Sequence, residues 1–262
     1  MSDFGIDVER RDGVAWLVVR NPARFNALRL EMWEAIPPAM RALDDDPAVR
    51  VCVLRGAGTV AFASGADISE FETVRRDGPS AAAYERSTSR AFEAALAFQK
   101  PLVAMIHGFC LGGGLALAAC ADLRICADDA RFSVPAARLG LGYEFRGVQR
   151  LVQILGPSTA GELFFTARRY TADEALRIGL VNRLVPKADL ERFTAQYVAD
   201  IAANAPLTLR AAKRSIAAAV TDPAGRDMTA VTRAIGACFD SADYAEGVRA
   251  FLEKRAPRFQ GR

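Results

Sequence analysis

Residues 102–120 read Leu102-Val103-Ala104-Met105-Ile106-His107-Gly108-Phe109-Cys110-Leu111-Gly112-Gly113-Gly114-Leu115-Ala116-Leu117-Ala118-Ala119-Cys120. The run Leu102 to Ile106, opened by Pro101, is continuously apolar, as a strand covered on both faces must be. Glycines at 108 and 112–114 then lead into a short apolar helix ending near Cys120. A buried strand passing through glycine into a helix is half of a crossover unit on a parallel sheet.

Working outward, the alternation repeats. Leu123 to Ala127 reads as the next strand and Ser80 to Phe98 as the preceding helix. Before that, Val49 to Leu54 reads as a buried strand feeding Gly56-Ala57-Gly58 and a glycine-rich loop. A helix over about Leu30 to Leu43 is stopped by Asp44-Asp45-Asp46-Pro47. The chain opens with Ile6 to Arg10 and Val14 to Arg20 around Arg11-Asp12-Gly13, whose Asp-Gly pair predicts a hairpin. These units define an α/β fold with a mostly parallel sheet.

After Gly140 the pattern changes. One strand candidate, Val181 to Val185, stands among helices; Thr171 and Glu174 form a capping box, and Gly179 is placed to end that helix. Leu190 to Arg255 is almost purely helical, which divides the chain into a core over residues 1–200 and a helical subdomain over 201–262.

Composition removes several function classes. Among 262 residues, 34 basic and 31 acidic side chains are interspersed, with no stripe suited to a nucleic-acid backbone. The five cysteines form no C-x-x-C pair and sit in apolar stretches, which fits a reducing, cytoplasmic setting. Residues 1–11 lack the order of a signal peptide, and no apolar run reaches the roughly 20 residues of a membrane span. His107 is the only histidine, so a multi-histidine zinc site is impossible; it reads as a satisfied histidine at a strand end. Ser64 lacks the glycine two residues before it that a G-x-S-x-G elbow needs.

Two glycine clusters remain where chemistry can reside: Ala61-Phe62-Ala63-Ser64-Gly65-Ala66-Asp67-Ile68, and His107 to Gly114. Gly108 and Gly113 have phosphate-loop spacing, but Gly114 stands where the lysine belongs, and no G-x-G-x-x-G occurs. A nucleotide enzyme therefore has no motif behind it. Each cluster would instead place a backbone N–H near a helix start at the carboxyl end of a strand, and two such donors make an oxyanion hole.

These two clusters, together with Asn21-Pro22, Asn26-Ala27-Leu28, Leu163 to Val185 and the ending Phe239 to Arg255, resemble the enoyl-CoA hydratase/isomerase (crotonase) family nearly end to end. The resemblance implies a spiral of repeated ββα turns with a helical C-terminal region that trimerises, as a homotrimer or a hexamer. It also implies an acyl-CoA thioester as substrate, coenzyme A entering with it and no separate cofactor, metal, nucleic-acid or membrane partner. Carried over by motif, Ala66 and Gly113 would donate backbone N–H groups to the thioester oxygen. Arg24, Ala27, Ser64, Asp67 and Ile68 would line the path of the CoA moiety, and Phe251 and Lys254 would reach a neighbouring subunit's CoA.

The sequence departs from the family where its hydratases carry two catalytic glutamates: those positions read Ala116 and Ala136. An alanine methyl cannot move a proton, so two-glutamate hydration is not expected. Tyr143 and Glu144 are the nearest substitutes. The Tyr143 loop and the C-terminus resemble methylmalonyl-CoA decarboxylase, and loss of carbon dioxide from a malonyl-type thioester needs an oxyanion hole without a base. Glu144 could instead shuttle a proton, or serve as an acid at a helix start. Three readings stay open: an enolate-forming enzyme of hydratase or isomerase type, a malonyl-type decarboxylase using Tyr143, and a silent acyl-CoA binder.

Overall fold

Asp12 and Gly13 both take positive φ, 51° and 78°, as a two-residue primed turn requires. They join β1 (Gly5–Arg11) to β2 (Val14–Arg20) as an antiparallel hairpin. The structure is a computed structural model and describes residues 3–262. From the hairpin the chain enters α1 (Leu30–Asp45), then β3 (Val51–Gly56), which runs parallel to β2.

Three successive turns then share one order. The first is β3, β4 (Ala61–Ala63), α2 (Phe71–Val74) and α3 (Gly78–Ala97); the second is β5 (Leu102–Ile106), β6 (Phe109–Leu111) and α4 (Gly113–Cys120). The third is β7 (Leu123–Ala127), β8 (Arg131–Ser133) and α5 (Phe145–Thr166), which breaks at Gly156 before Pro157. The chain continues through β9 (Tyr170–Thr171), α6 (Ala172–Arg177), β10 (Arg183–Val185) and α7 (Leu190–Ala202).

The first strand of each turn enters a six-stranded sheet ordered β1-β2-β3-β5-β7-β10, and the second enters a four-stranded sheet ordered β4-β6-β8-β9. This is the expected spiral of ββα units. The second sheet is absent from the sequence reading because its strands are two or three residues long, too short to show a period of two.

The long sheet is apolar on both faces. Val51 and Val53 of β3, with Val103 and Met105 of β5, pack under Leu190, Val198 and Ala202 of α7. Cys52, Leu54, Leu102, Ala104 and Ile106 point the other way, into a core shared with Trp33, Phe62, Phe92 and Leu115. That double burial is why the strands read as unbroken apolar runs. Between the sheets and α4 there is no room for a side chain at Gly114: a Cβ there would lie 2.5 Å from the Ala63 carbonyl oxygen. The glycine lets the helix rest directly on β4.

Beyond α7 the chain forms α8 (Pro206–Ala219), α9 (Met228–Phe239) and α10 (Ala242–Leu252). Its last residues fold back along α10. Asp243 accepts from the N–H groups of Gln260 and Gly261 at 2.6 and 2.7 Å, and Arg50 donates to the Phe259 carbonyl at 2.6 Å. Glu246 accepts from Arg255, Arg249 and the Arg258 N–H; those bonds, Arg255 foremost, hold its carboxyl well below the usual range.

Every cysteine is a free thiol. Burial pushes Cys52, Cys120 and Cys126 up to about 12, so these sulfurs behave as small apolar groups. His107 directly follows β5 and is buried, but the expectation that it is satisfied is corrected: neither ring nitrogen has a hydrogen-bond partner among the described residues. Burial lowers its pKa, which keeps the ring neutral. Among the described residues no helix is long and apolar enough to cross a membrane.

Candidate active site

Leu28 forms a parallel bridge with Ala66. Its N–H donates to the Gly65 carbonyl at 2.8 Å, and its carbonyl accepts from Asp67 N–H at 2.9 Å. Because a parallel bridge uses the neighbours of the bridged residue, the N–H of Ala66 itself faces the opposite side. Gly113 is the first residue of α4, where N–H groups have no acceptor within the helix. Gly112 precedes it with φ 49° and ψ −125°, a conformation only glycine adopts freely, and ties its own N–H to Ser133 at 2.8 Å.

The two unused donors are neighbours. A methyl placed on Gly113 would stand 3.9 Å from the Ala66 nitrogen, and one on Gly65 would stand 3.8 Å from the Gly113 nitrogen. Both residues line one cavity of about 120 Å³. The same cavity is lined by Trp33 of α1, whose ring a methyl on Gly113 would meet at 3.1 Å, by Phe71 of α2, and by Tyr84 and Phe92 of α3. Trp33 Nε1 donates to the Tyr84 hydroxyl at 2.9 Å and meets Phe92 edge-on at 5.5 Å. Burial pushes Tyr84 up to about 12, so it stays protonated at neutral pH. A third wall comprises Pro135, Ala136, Leu139, Leu141, Gly142, Tyr143 and Glu144.

Tyr143 directs its hydroxyl into the Gly112 carbonyl at 2.8 Å, an oxygen that also accepts from Ala116 N–H at 3.1 Å. That carbonyl and the Gly113 N–H belong to one peptide unit. Withdrawing charge through the oxygen makes the N–H a stronger donor. Burial holds the Tyr143 hydroxyl far above an ordinary tyrosine value, so it is a fixed donor here.

Glu144 is the N-cap of α5. One carboxylate oxygen accepts from Gly147 N–H at 3.0 Å and the other from the Ser89 hydroxyl at 2.9 Å. Ala136 lines the cavity, whereas Ala116 is fully buried; a Cβ on Gly147 would meet its methyl at 3.2 Å and the Tyr143 ring at 3.0 Å. A long side chain at 116 would therefore enter space that α5 and Tyr143 already fill.

The other sequence candidates scatter more. Ser64 lines the cavity and donates through Oγ to the Arg24 carbonyl at 3.1 Å, while the Arg24 side chain is exposed and Ala27 is buried. Asp67 spends one oxygen capping the following turn, accepting from Ser69 N–H and Oγ at 3.1 and 2.7 Å. Ile68 is largely exposed at the cavity rim. Phe251 and Lys254 lie at the end of α10 and line no part of this cavity within one chain.

Sequence reasoning missed Trp33, Phe71, Arg75 and Tyr84. They come from three helices and the residue that follows α2, and nothing in their spacing shows that a folded chain brings them together. It also missed the work of Asn26, which accepts from Asn21 N–H at 3.0 Å and donates to the Ala61 carbonyl at 2.7 Å, fixing the loop that carries Leu28 to Ala66.

A spiral of ββα turns with paired backbone donors at one cavity defines a fold and site type, and comparison supplies the lineage. Residues 9–262 match the enoyl-CoA hydratase/isomerase family, and the chain belongs to it. It is 35% identical over 259 residues to a crotonyl-CoA hydratase of Syntrophomonas wolfei, covering 99% of both chains. It is 33% identical over 249 residues to a short-chain-enoyl-CoA hydratase of Clostridium acetobutylicum, covering 95% of this chain and 94% of that one. The crystal structure of an enoyl-CoA hydratase/carnithine racemase from Magnetospirillum magneticum superposes with a TM-score of 0.94 at 36% identity, over 100% of this chain and 97% of that one.

Proposed function

We propose that this enzyme binds an acyl-CoA thioester with the thioester oxygen between the N–H groups of Ala66 and Gly113, and works through the enolate those donors stabilise. The carrying observation is the pair of adjacent, unused backbone donors on the cavity floor. As charge develops on the oxygen, fixed dipoles in a dry site hold it more strongly than water would, worth about 100- to 1000-fold in rate per donor. An apolar cavity of roughly 150 Å³ admits benzene; one of about 120 Å³ suits a short acyl group.

A second reading, decarboxylation of a malonyl-type thioester, is favoured by one observation. Among the described residues Glu144 is the only carboxylate lining the cavity, and both its oxygens are engaged. Losing carbon dioxide generates the enolate without a base, whereas hydration or isomerisation requires Glu144 to give up a bond and carry a proton.

The helices after residue 200 form the subunit contact of a trimer or hexamer in this reading. Phe239, Tyr244, Val248, Phe251 and Leu252 expose a continuous apolar surface on α9 and α10. Sedimentation at micromolar concentration tests this, a clean monomer counting against it. The function is tested with a panel of enoyl-, acyl- and malonyl-type CoA thioesters, following product by mass spectrometry. Turnover of an enoyl member supports hydratase chemistry, and release of carbon dioxide supports the second reading. Binding without turnover leaves a silent binder, and failure to bind any thioester sinks the proposal.

A further inference from the structure

Arg75 follows α2 and lines the cavity that holds the Ala66 and Gly113 donors. Its guanidinium lies over two rings of the cavity wall that meet edge to face, 4.3 Å from the Tyr84 centroid and 4.8 Å from that of Phe71. Its Nε is fully buried and has no hydrogen-bond partner. The carboxylates nearby bond elsewhere, Asp67 through one oxygen. Glu70 binds Arg29 at 2.8 Å and Leu30 N–H at 3.0 Å, Asp67 binds Ser69, and Glu144 binds Ser89 and Gly147. The next residue, Arg76, pairs with Asp77 outside the cavity, and no ion pair among the described residues involves Arg75.

A guanidinium carries five donors in a planar fork and no acceptor, and leaving a buried donor without an acceptor is costly. Stacking on rings positions the plane without satisfying those N–H groups. The matching ligand group is a carboxylate, which can take two parallel N–H bonds. We propose that the cavity takes acyl-CoA thioesters whose acyl group carries a second, distal carboxylate, and that Arg75 recognises it. The proposal rests on the acyl-CoA reading above and narrows its substrate class to dicarboxylic acyl thioesters. A carboxylate held by a guanidinium is stabilised as an anion and resists leaving as carbon dioxide. The recognised group is therefore a spectator at the far end of the chain, distinct from any carboxylate whose loss would form the enolate.

The test is calorimetric binding to the full-length protein of two saturated CoA thioesters of equal chain length, one ending in methyl and one in carboxylate, with free CoA as reference. Wild type is expected to bind the carboxylate-ended thioester at least tenfold more tightly than the methyl-ended one. Arg75→Met should bring that ratio to within twofold, and Arg75→Lys, which keeps the charge but loses the fork, should retain only part of it. Wild type binding the methyl-ended thioester equally well or better overturns the role of Arg75 while leaving the acyl-CoA reading intact. A tenfold preference that survives Arg75→Met also overturns it. If neither thioester binds better than free CoA, the acyl-CoA reading itself fails and this proposal falls with it. The wild-type comparison decides even if a variant is unstable.

Discussion

On the floor of the cavity, Gly65, Ala66, Gly112 and Gly113 offer backbone and no side chain larger than a methyl. Beside them Trp33, Phe71, Tyr84 and Phe92 offer rings, with one hydrogen bond between Trp33 and Tyr84 and one cation, Arg75, laid against the rings. In the proposed function the floor acts through peptide groups whose directions are set by the path of the chain, so its tolerance for substitution is small. The ring wall, in the same reading, shapes what enters through side chains that can be exchanged singly. That reading makes one cavity separate the part fixed by the reaction from the part free to follow the substrate.

The comparison is broken most sharply by removing a floor donor without changing the wall. Ala66→Pro deletes one N–H while Gly65 and Asp67 can still bridge Leu28; kcat is expected to fall about 100- to 1000-fold with circular dichroism unchanged. A loss under tenfold would mean that Ala66 is not a donor. Next comes the support of the floor. Gly114→Val forces a side chain against the Ala63 carbonyl, and stability should drop by about 3 kcal/mol or more, read as a melting temperature lower by roughly 10 °C.

The wall should respond differently. Tyr84→Phe leaves the buried Trp33 N–H without its acceptor, so about 1–3 kcal/mol of stability is lost while kcat on a short substrate changes less than about threefold. Chemical denaturation and steady-state kinetics on the same preparation separate these effects. A large kcat loss at normal stability would put Tyr84 into the chemistry and dissolve the distinction drawn here.

Tyr143 and Glu144 sit where floor and wall meet, and they sharpen it. Tyr143→Phe removes the bond to the Gly112 carbonyl, and kcat should fall about tenfold, near 1.4 kcal/mol, by a similar factor for every thioester and with an unchanged pH profile. A lost limb in that profile would instead make Tyr143 a proton carrier. Glu144→Gln keeps oxygen and shape at the α5 cap, so stability should change by only about 0.5 kcal/mol. If kcat nonetheless falls more than tenfold, Glu144 is the proton-transfer group; if it does not, a base-free reaction gains support.

Much of the scaffold was legible before any coordinates. Leu102 to Ile106 and Leu123 to Ala127 are strands over those same residues, the Asp-Gly hairpin forms, and the Thr171–Glu174 capping box closes in both directions. Each is a local signal: an apolar run, a turn that needs positive φ, a side chain bonding three residues away. The site was legible only where chemistry lies in glycine spacing. The short strands β4, β6 and β8 form because neighbours across the spiral offer unpaired backbone groups, which no window of sequence displays.

By itself, then, the sequence determined the alternation of apolar strands and helices, the two glycine clusters, and the alanines at 116 and 136. Only the tertiary structure decided that Tyr143 serves the Gly112–Gly113 peptide, that Glu144 is tied at both oxygens, and that Arg75 lines the cavity. The physical reason is distance along the chain. Periodicity, capping and turn preference act over a few residues and are written in order, whereas a hydrogen bond from residue 143 to residue 112, or a guanidinium from residue 75 against the ring of residue 84, exists only after long loops have closed and water has been excluded.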